Sequence, residues 1–363
     1  MSVRANEIIN IFKPKRVIWP ILIGLSVASF LLWRNIDGEA IASIKWTWSS
    51  SFWLLMALIM MLIRDLGYMV RINILGDGKI GIRESFDVIM LWEFASAITP
   101  SVVGGSAVAV FVINKEGLNL GKSSAVVLIT ALMDELFFVL MVPMLYIFIG
   151  AENLFPSALI AKGYFESIQW IKMLFWISYA IILFYVLIIT YALVFKPRGF
   201  KWLLLKLFKI SFLKKWRFSA QKTGNEIMGA SKEIRTKPFL YWIKAFVATF
   251  FSWTARYWVV NFLILAFIPA IASLSFSDHF TIYGRQLVMW IIMLISPTPG
   301  GSGVAEIAFS GFLDEFTFGL AGVIAVIWRL VSYYPYLFVG AVILPKWIRR
   351  VYAKQEKLDE EMV

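Results

Sequence analysis

The sequence predicts an all-α polytopic membrane protein, and three observations support this fold class. Of the 363 residues, 60% are hydrophobic and only 16% are charged, whereas soluble globular proteins are about half apolar and about a quarter charged. The apolar residues gather in runs that are long enough to cross a bilayer. A glycine-rich motif of six residues also occurs twice. Together these features exclude an ordinary soluble protein.

Six apolar runs predict membrane-spanning helices, because about 30 Å of hydrocarbon requires roughly 20 helical residues. They lie near residues 17–34, 51–72, 123–149, 170–195, 239–268 and 318–344. No clear small-residue cleavage site follows the first run. It is therefore predicted to be a retained helix rather than a signal peptide.

Two further apolar stretches, 86–113 and 282–313, are interrupted at their centres by proline and glycine. Proline lacks the helical N–H group and paired glycines favour sharp turns, so neither stretch is predicted to form one continuous helix. Each is predicted to be a re-entrant hairpin. The residues expected at the tips are Pro100, Gly104, Gly105, Pro297, Pro299, Gly300, Gly301 and Gly303.

The lysines and arginines predict the orientation of the chain, because short cytoplasmic loops carry an excess of them. The segment 196–238 holds twelve, against Glu226 and Glu233, and both termini are also basic. We therefore expect an integral protein of the plasma (inner) membrane with both termini in the cytoplasm. The first hairpin then opens from the cytoplasm and the second from outside, so that their tips meet near the midplane. The net charge of +12 is thus assigned to membrane topology and not to nucleic-acid binding.

Residues 200–217 mix lysines and aromatic residues too densely to span a bilayer. An interfacial helix in contact with anionic lipid is one interpretation. The alternative is a basic loop that only fixes the topology.

The two glycine-rich motifs indicate an inverted repeat. Residues 104–109 and 300–305 are identical at five of six positions, and the two copies open from opposite sides. Within a single membrane domain, the first repeat covers about 51–195 and the second about 239–345, joined by the basic loop 196–238. Transporters use such repeats and bind their substrates between them at mid-bilayer. The alternative is that the small residues only allow close helix packing.

The second motif, from Ser296 to Glu306, and Arg329 in the next span resemble the lysylphosphatidylglycerol synthetase transmembrane-region family, also called flippase-like domain proteins. The sequence is similar to the membrane half of the multiple peptide resistance factor, without its synthetase domain. The resemblance implies a protein that moves a lipid or a lipid-linked group between leaflets. It places the family motif on Pro297, Pro299, Gly300, Gly301, Gly303, Glu306 and Arg329. The first copy departs from the usual pattern, since it has Ser106 and Val110 where many members have glutamate and arginine.

Charged residues inside the predicted spans are candidates for substrate contact, because each costs about 2.5–3.5 kcal/mol at a helix centre. A half-helix starting at Ser302 would direct free N–H groups at the midplane, and Arg256 and Arg329 would add positive charge, which suits a phosphate. The residues predicted to bind or translocate substrate are Arg256, Arg329, Glu306, Asp134, Glu135, Ser302 and Glu93. The alternative is that they are structural ion pairs, with Arg329 bound to Asp134 or Glu135, and Arg64 bound to a neighbouring carboxylate.

These features predict a flippase-like transporter for an anionic or aminoacylated phospholipid, or for a polyprenyl-phosphate-linked group. One alternative is a secondary transporter or channel for a small soluble anion, and a second is an integral-membrane lipid transferase. Cysteine is absent and His279 is the single histidine; this histidine is expected to be an ordinary solvated residue in an outer loop. No catalytic group, metal or cofactor is predicted.

Overall fold

The computed structural model describes residues 46–98, 102–156, 167–209, 217–235, 237–268, 274–293 and 304–361, together with Ala42, Ile44 and Leu159. Every regular element within these ranges is a helix, as the sequence predicts. The predicted span at 17–34 lies outside the described residues.

The helices are numbered here in chain order. They are α1 (Trp48–Leu75), α2 (Ile82–Ile98), α3 (Val102–Lys115), α4 (Leu120–Ile149), α5 (Ala151–Leu154), α6 (Ile168–Val194), α7 (Pro197–Leu207), α8 (Arg217–Arg235), α9 (Phe239–Phe267), α10 (Phe276–Met293), α11 (Val304–Thr317), α12 (Ala321–Ser332) and α13 (Tyr334–Glu361).

Polar side chains fix where several of the long helices begin. The hydroxyl of Thr47 accepts from the backbone of Ser50 at the start of α1, and Asn119 and Ser167 cap α4 and α6 in the same way. Such caps satisfy backbone N–H groups that have no partner within the helix.

Five helical segments are long and apolar enough to cross a membrane: α1, α4, α6, α9 and the combined α12–α13 segment Ala321–Val351. They correspond to the predicted runs from 51–72 onward. The last segment is not one continuous helix, because α12 ends at Ser332 and α13 begins at Tyr334. Pro335 explains the interruption, since it lacks the N–H group that would bond to the carbonyl of Val331.

The two interrupted stretches each form a pair of helices that pack against each other, α2 with α3 and α10 with α11. Gly105 lies so close to α2 that a Cβ atom there would come within 3.0 Å of the Ser96 Cβ. The chain therefore folds back on itself between α2 and α3. Insertion of the two pairs as re-entrant hairpins from opposite sides stays a prediction, and residues 99–101 and 294–303 lie outside the described part of the chain.

The basic segment contains two helices, α7 and α8, which pack against each other. Lys201 of α7 donates to Asn225 of α8 at 2.6 Å. The prediction of one helix over 200–217 is wrong in its bounds, because α7 begins at Pro197 and ends at Leu207. Proline is favoured at the first position of a helix, where its missing N–H group has no role.

Helices α1 and α9, which stand before the first and the second helix pair, pack against each other along their length. The close approach depends on Gly67, where a Cβ atom would lie 3.0 Å from both the carbonyl oxygen of Ala248 and the Cβ of Ser252. The Ser252 hydroxyl donates to the carbonyl of Arg64 at 2.7 Å. This contact brings the mid-regions of both helices together and buries Arg64.

Candidate functional site

Arg64 of α1 is fully buried and holds two carboxylates. Its guanidinium donates to Asp65 at 2.8 Å and also to Glu93 of α2. The hydroxyl of Tyr336, from α13, donates to Asp65 at 2.8 Å. As one of the sequence interpretations expects, Arg64 pairs with neighbouring carboxylates, and Glu93 is one of its partners.

Arg71, one turn before the end of α1, forms a second buried ion pair. It contacts Asp134 of α4 at 2.5 Å and donates to the hydroxyl of Thr249 of α9 at 3.0 Å. The indole N–H of Trp253 donates to the same carboxylate at 2.7 Å. The predicted pairing of Asp134 with Arg329 is therefore wrong, because Asp134 lies where α4 meets α1 and α9.

The ring of Tyr68 joins the two arginines of α1, with the Arg64 and Arg71 guanidinium carbons 4.7 and 4.6 Å from its centre. Tyr68 lies four residues after Arg64, and Arg71 lies three residues after Tyr68. Residues three or four apart are neighbours on a helix, so the three side chains share one face. We call this set the central charge network. Its members are Arg64, Asp65, Tyr68, Arg71, Glu93, Asp134, Trp253 and Tyr336.

The central charge network includes residues at the centres of two long helices, since Asp134 falls at the middle of the 30-residue α4 and Trp253 at the middle of the 29-residue α9. The two guanidiniums are almost completely enclosed. Glu93 and Asp134, in contrast, retain 28% and 21% of their side-chain exposure. The carboxylates thus form the accessible edge, and the arginines stand behind them and compensate their charge.

Arg256 of α9 lies 17 residues after Phe239, almost as Arg64 lies 16 residues after Trp48. Its guanidinium stacks on two indole rings, 5.4 Å from the centre of Trp253 and 5.6 Å from the centre of Trp290 on α10. Among the described residues it has neither an ion pair nor a hydrogen bond. Arg256 is therefore a half-buried cation in mid-span whose N–H donors remain available.

Glu135 follows Asp134 but does not share its partners. Its Oε2 atom is buried and has no hydrogen-bond partner in the described part of the chain. The predicted pairing of Glu135 with Arg329 is likewise wrong, because no arginine acts on this carboxylate electrostatically there.

The remaining predicted residues are Arg329, Glu306 and those of the two glycine-rich motifs. Arg329 of α12 is buried, and its guanidinium carbon lies 5.2 Å from the ring centres of both Trp328 and Tyr333. The backbone of Glu306 lies in the first turn of α11, which begins at Val304, and Gly104 and Gly105 lie in α3. The other predicted tip residues and the predicted substrate contact Ser302 lie outside the described residues; these tip residues are Pro100, Pro297, Pro299, Gly300, Gly301 and Gly303.

Arg285 of α10 is a buried residue that the sequence analysis missed. It donates to the backbone carbonyls of Asn153 and Phe312 at 2.6 and 3.0 Å, and it pairs with Glu315 at 2.7 Å. It therefore clamps α10 to α11 and to the segment after α4. The sequence does indicate its role, because Arg285 lies within the apolar stretch 282–313 and an arginine in such a stretch requires a buried partner.

Two ion-pair groups lie at the ends of the long helices. Asp77, in the turn after α1, pairs with Lys122 at 2.9 Å and with Lys237 at 2.5 Å. Partial burial raises the pKa of Asp77, but the hydrogen bonds from Lys237 and Lys122 outweigh it and hold that pKa below its ordinary value.

A shallow groove of about 300 Å³ lies beside this turn, and Asp77, Tyr241 and Lys244 are among the residues that line it.

The second group is formed around Glu116, in the turn after α3. Glu116 accepts from the indole of Trp347 at 2.6 Å and from Arg350, which also pairs with Asp87 at 2.9 Å. Burial raises the pKa of Glu116, and these hydrogen bonds only partly offset that effect. The group attaches α13 to the first helix pair.

His279 differs from its predicted environment. It lies in the first turn of α10, half buried, and its Nδ1 is 2.9 Å from the amide oxygen of Asn261. The prediction of a solvated loop residue is wrong, because α10 begins at Phe276 and packs this turn against α9.

The family described as lysylphosphatidylglycerol synthase TM region matches residues 17–340. The chain belongs to this family. A relative from Archaeoglobus fulgidus, described as a UPF0104 membrane protein, is 26% identical over 300 residues, which cover 80% of this chain and 82% of the relative. No solved structure matches the chain significantly. The resemblance carried by the hairpin motif is confirmed, and this member of the lysylphosphatidylglycerol synthase TM region family is an integral membrane protein.

Proposed function

We propose that this protein is a flippase-like transporter that moves an anionic lipid headgroup between leaflets, with Arg256 as the principal contact for the headgroup phosphate. The observation that carries the proposal is the state of Arg256. It is a cation in mid-span that no described carboxylate neutralises. In the same bundle, Arg64 and Arg71 both have carboxylate partners.

An unpaired guanidinium within a bilayer is unfavourable unless water, a partner or a ligand accompanies it. Stacking on Trp253 and Trp290 supports the face of the guanidinium and leaves its edge free. The free edge presents N–H donors in the planar arrangement that suits two phosphate oxygens. A phosphate headgroup therefore satisfies Arg256 in a way that an uncharged sugar or an acyl chain does not.

The other half of the proposal concerns the frame around this contact. The central charge network ties α1, α2, α4, α9 and α13 together through charge-assisted hydrogen bonds. Such a network holds the helices beside Arg256 in one geometry, since Trp253 of the network stacks on Arg256, while the lipid tails remain between helices in the bilayer. In transporters built from inverted repeats, one repeat rocks against the other around a central site. We assign the rocking to the part of the second repeat that carries no member of the network, α10 to α12, with Glu306 and Arg329 on the moving part.

The family assignment supports a lipid as the transported molecule, because the family is described as the transmembrane region of lysylphosphatidylglycerol synthase, an enzyme named for a lipid. The anionic headgroup is that of a phospholipid, with or without an attached amino acid, or that of a polyprenyl phosphate. We place the protein in the plasma membrane with both termini in the cytoplasm, in accordance with its basic segments. Transport and not chemical conversion is the proposed activity.

The test is translocation of fluorescently labelled phosphatidylglycerol in vesicles that contain the purified protein, measured by chemical quenching of the label in the outer leaflet. We expect the wild type to move label and Arg256→Ala to be at least about tenfold slower, which corresponds to about 1.4 kcal/mol of lost stabilisation. Arg256→Lys keeps the charge but not the planar donor set, and we expect intermediate transport. Arg329→Ala and Glu306→Gln should abolish transport and leave the helical content unchanged.

Arg349→Ala is the matched control, because Arg349 is an exposed arginine near the end of the last span. It should transport as the wild type does. Wild-type rates in Arg256→Ala, Arg329→Ala and Glu306→Gln would refute the proposal. Uptake of a soluble anion such as inorganic phosphate, without movement of labelled lipid, would support the alternative carrier instead. Conversion of the labelled lipid into a new product would indicate a lipid transferase.

A further inference from the structure

Glu135 occupies an environment unlike that of any other acid in the bundle core described above. It lies at the centre of α4, with its Oε2 atom enclosed and without a hydrogen-bond donor among the described residues. The rest of its side chain is partly exposed. One edge of the carboxyl group is thus accessible, and the opposite oxygen is sealed in the protein.

The groups around Glu135 do not compensate a negative charge. On its own helix the neighbour is Asp134, whose carboxylate is occupied by Arg71 of α1 and by Trp253 of α9. From α6 and α9 the titratable groups that interact with it are Tyr185 and Tyr257. Tyrosine hydroxyls are neutral near pH 7. No described residue of α1, α3, α5, α8 or α10 contributes a cation that acts on Glu135.

Burial of an ionised carboxylate without a partner is so unfavourable that such a group takes up a proton instead. We propose that Glu135 is the protonation site through which the protein couples lipid movement to a proton gradient. This inference rests on the proposed lipid transport. In the conformation described here Glu135 carries a proton, and the side chain is neutral.

The proton comes from water on one side of the membrane, when rocking of the repeats opens the accessible edge of Glu135 to that side. It leaves to water on the other side, when the opposite conformation hydrates the carboxylate. Water on both sides is the source and the sink, so no further reactant is required. Asp134 does not serve in this way, because Arg71 and Trp253 hold its charge in place.

The coupling has a quantitative consequence. If one proton moves with each lipid, a difference of one pH unit supports a concentration ratio of about tenfold between the leaflets. Without coupling, the lipid approaches an equal distribution whatever the pH difference.

The experiment uses the full chain in vesicles of phosphatidylcholine and phosphatidylglycerol that contain a trace of labelled phosphatidylglycerol. Potassium is equal on both sides and valinomycin is present, so that no membrane potential arises. A pH difference of about one unit is then imposed, and the fraction of label in the outer leaflet is followed. We expect the wild type to build a leaflet ratio approaching about tenfold, and Glu135→Gln to move label toward an equal distribution only.

Two further variants separate this role from a structural one. Glu135→Asp retains a carboxylic acid at the same position and should retain gradient-driven accumulation. Glu152→Gln alters an exposed acid in the short helix α5 and should behave as the wild type does. Infrared difference spectroscopy of protein in nanodiscs should show the C=O stretching band of a protonated carboxylic acid at neutral pH, and this band should be missing in Glu135→Gln.

The outcomes distinguish this inference from the proposed function. A wild type that moves labelled lipid equally with and without the pH difference overturns proton coupling and leaves lipid transport intact. A wild type that moves no labelled lipid at any pH overturns the proposed function, and the coupling with it. Absence of the carboxylic-acid band from the wild type at neutral pH, or gradient-driven accumulation in Glu135→Gln, overturns the role of Glu135.

Discussion

Helix α1 precedes the first helix pair and helix α9 precedes the second, but the central arginines of the two helices have different partners. Arg64 of α1 meets Glu93 on the first pair, whereas Arg256 of α9 meets the indole of Trp290 on the second. The first arrangement neutralises the arginine, and the second supports its face and leaves its charge available. Two arginines at similar depth in their helices thus differ in their surroundings: one stabilises the bundle through ion pairs, and the other is the residue that we propose receives an anion.

The largest expected effect is on stability, at Arg64. Arg64→Ala leaves Asp65 and Glu93 without their buried cation, and loss of one partner of a buried pair costs about 3–5 kcal/mol. Arg256→Ala removes no ion pair but does remove stacking on two indole rings, and it should cost less, about 1–2 kcal/mol. The measurement is the free energy of unfolding from titration with sodium dodecyl sulfate in mixed micelles. Equal losses in the two variants would contradict the division between α1 and α9.

The second expected effect is the coupling between Arg71 and Asp134. In a double-mutant cycle with Arg71→Ala and Asp134→Ala, we expect an interaction energy between about 0.5 and 3 kcal/mol, since residues of one ion-pair network are not additive. The same unfolding titration gives all four values. A parallel cycle with Arg256→Ala and Glu135→Ala should be additive, because these two residues share no ion pair. Additivity in the Arg71 and Asp134 cycle would show that this contact is not a structural lock.

A third prediction concerns Gly67, which sets the separation of α1 and α9. Gly67→Ala places a methyl group 3.0 Å from a backbone oxygen of α9 that has little freedom to move. We expect a loss of about 1 kcal/mol or somewhat more from overpacking. Gly121→Ala is the control, because a Cβ atom there meets only the Asn119 side chain at 3.5 Å. It should be neutral or slightly stabilising. A loss in Gly121→Ala equal to that in Gly67→Ala would contradict the importance of the α1–α9 contact.

The smallest expected effect lies at Asp77, just after α1. The pKa of Asp77 is held below its ordinary value, so its ion pairs stabilise the fold above the ordinary pKa of aspartate, about 4. That contribution is lost as the pH falls through the lowered pKa of the folded state. Asp77→Asn should therefore be less stable than the wild type at pH 7, by under about 1 kcal/mol for an accessible pair, and equally stable in strong acid.

The control for Asp77 is the exposed acid Glu152. Glu152→Gln should match the wild type across the same pH series of unfolding titrations. A stability difference for Asp77→Asn that grows toward acid pH would have the wrong sign and would refute the assignment. High salt should reduce the difference at pH 7, because exposed charges are screened.

The sequence was sufficient for the helical class and for five spans, because run length and apolar content follow directly from bilayer thickness. The sequence predicts one continuous helix over 318–344, whereas the helix is interrupted at Tyr333. Pro335 is the residue from which this break was predictable. Side-chain partners were harder to predict. Equivalent depth suggests Arg329 as one possible partner of Asp134, but the partner is Arg71, since depth alone does not fix which face of a helix meets which neighbour. Arg71 was overlooked because it lies near a helix end, where a long side chain usually reaches water.

The partners of Arg71 also have a consequence for biosynthesis. Thr249, which accepts one of its hydrogen bonds, is separated from it by 178 residues. At about 5–20 residues per second, a ribosome needs roughly 10–35 s to make that length of chain. Asp134 follows Arg71 after 63 residues. For the rest of this time both residues are in the nascent protein, while Thr249 and Trp253 of α9 are not. The first half therefore enters the membrane with its central charges incompletely bonded, and insertion of α9 completes their coordination late in synthesis.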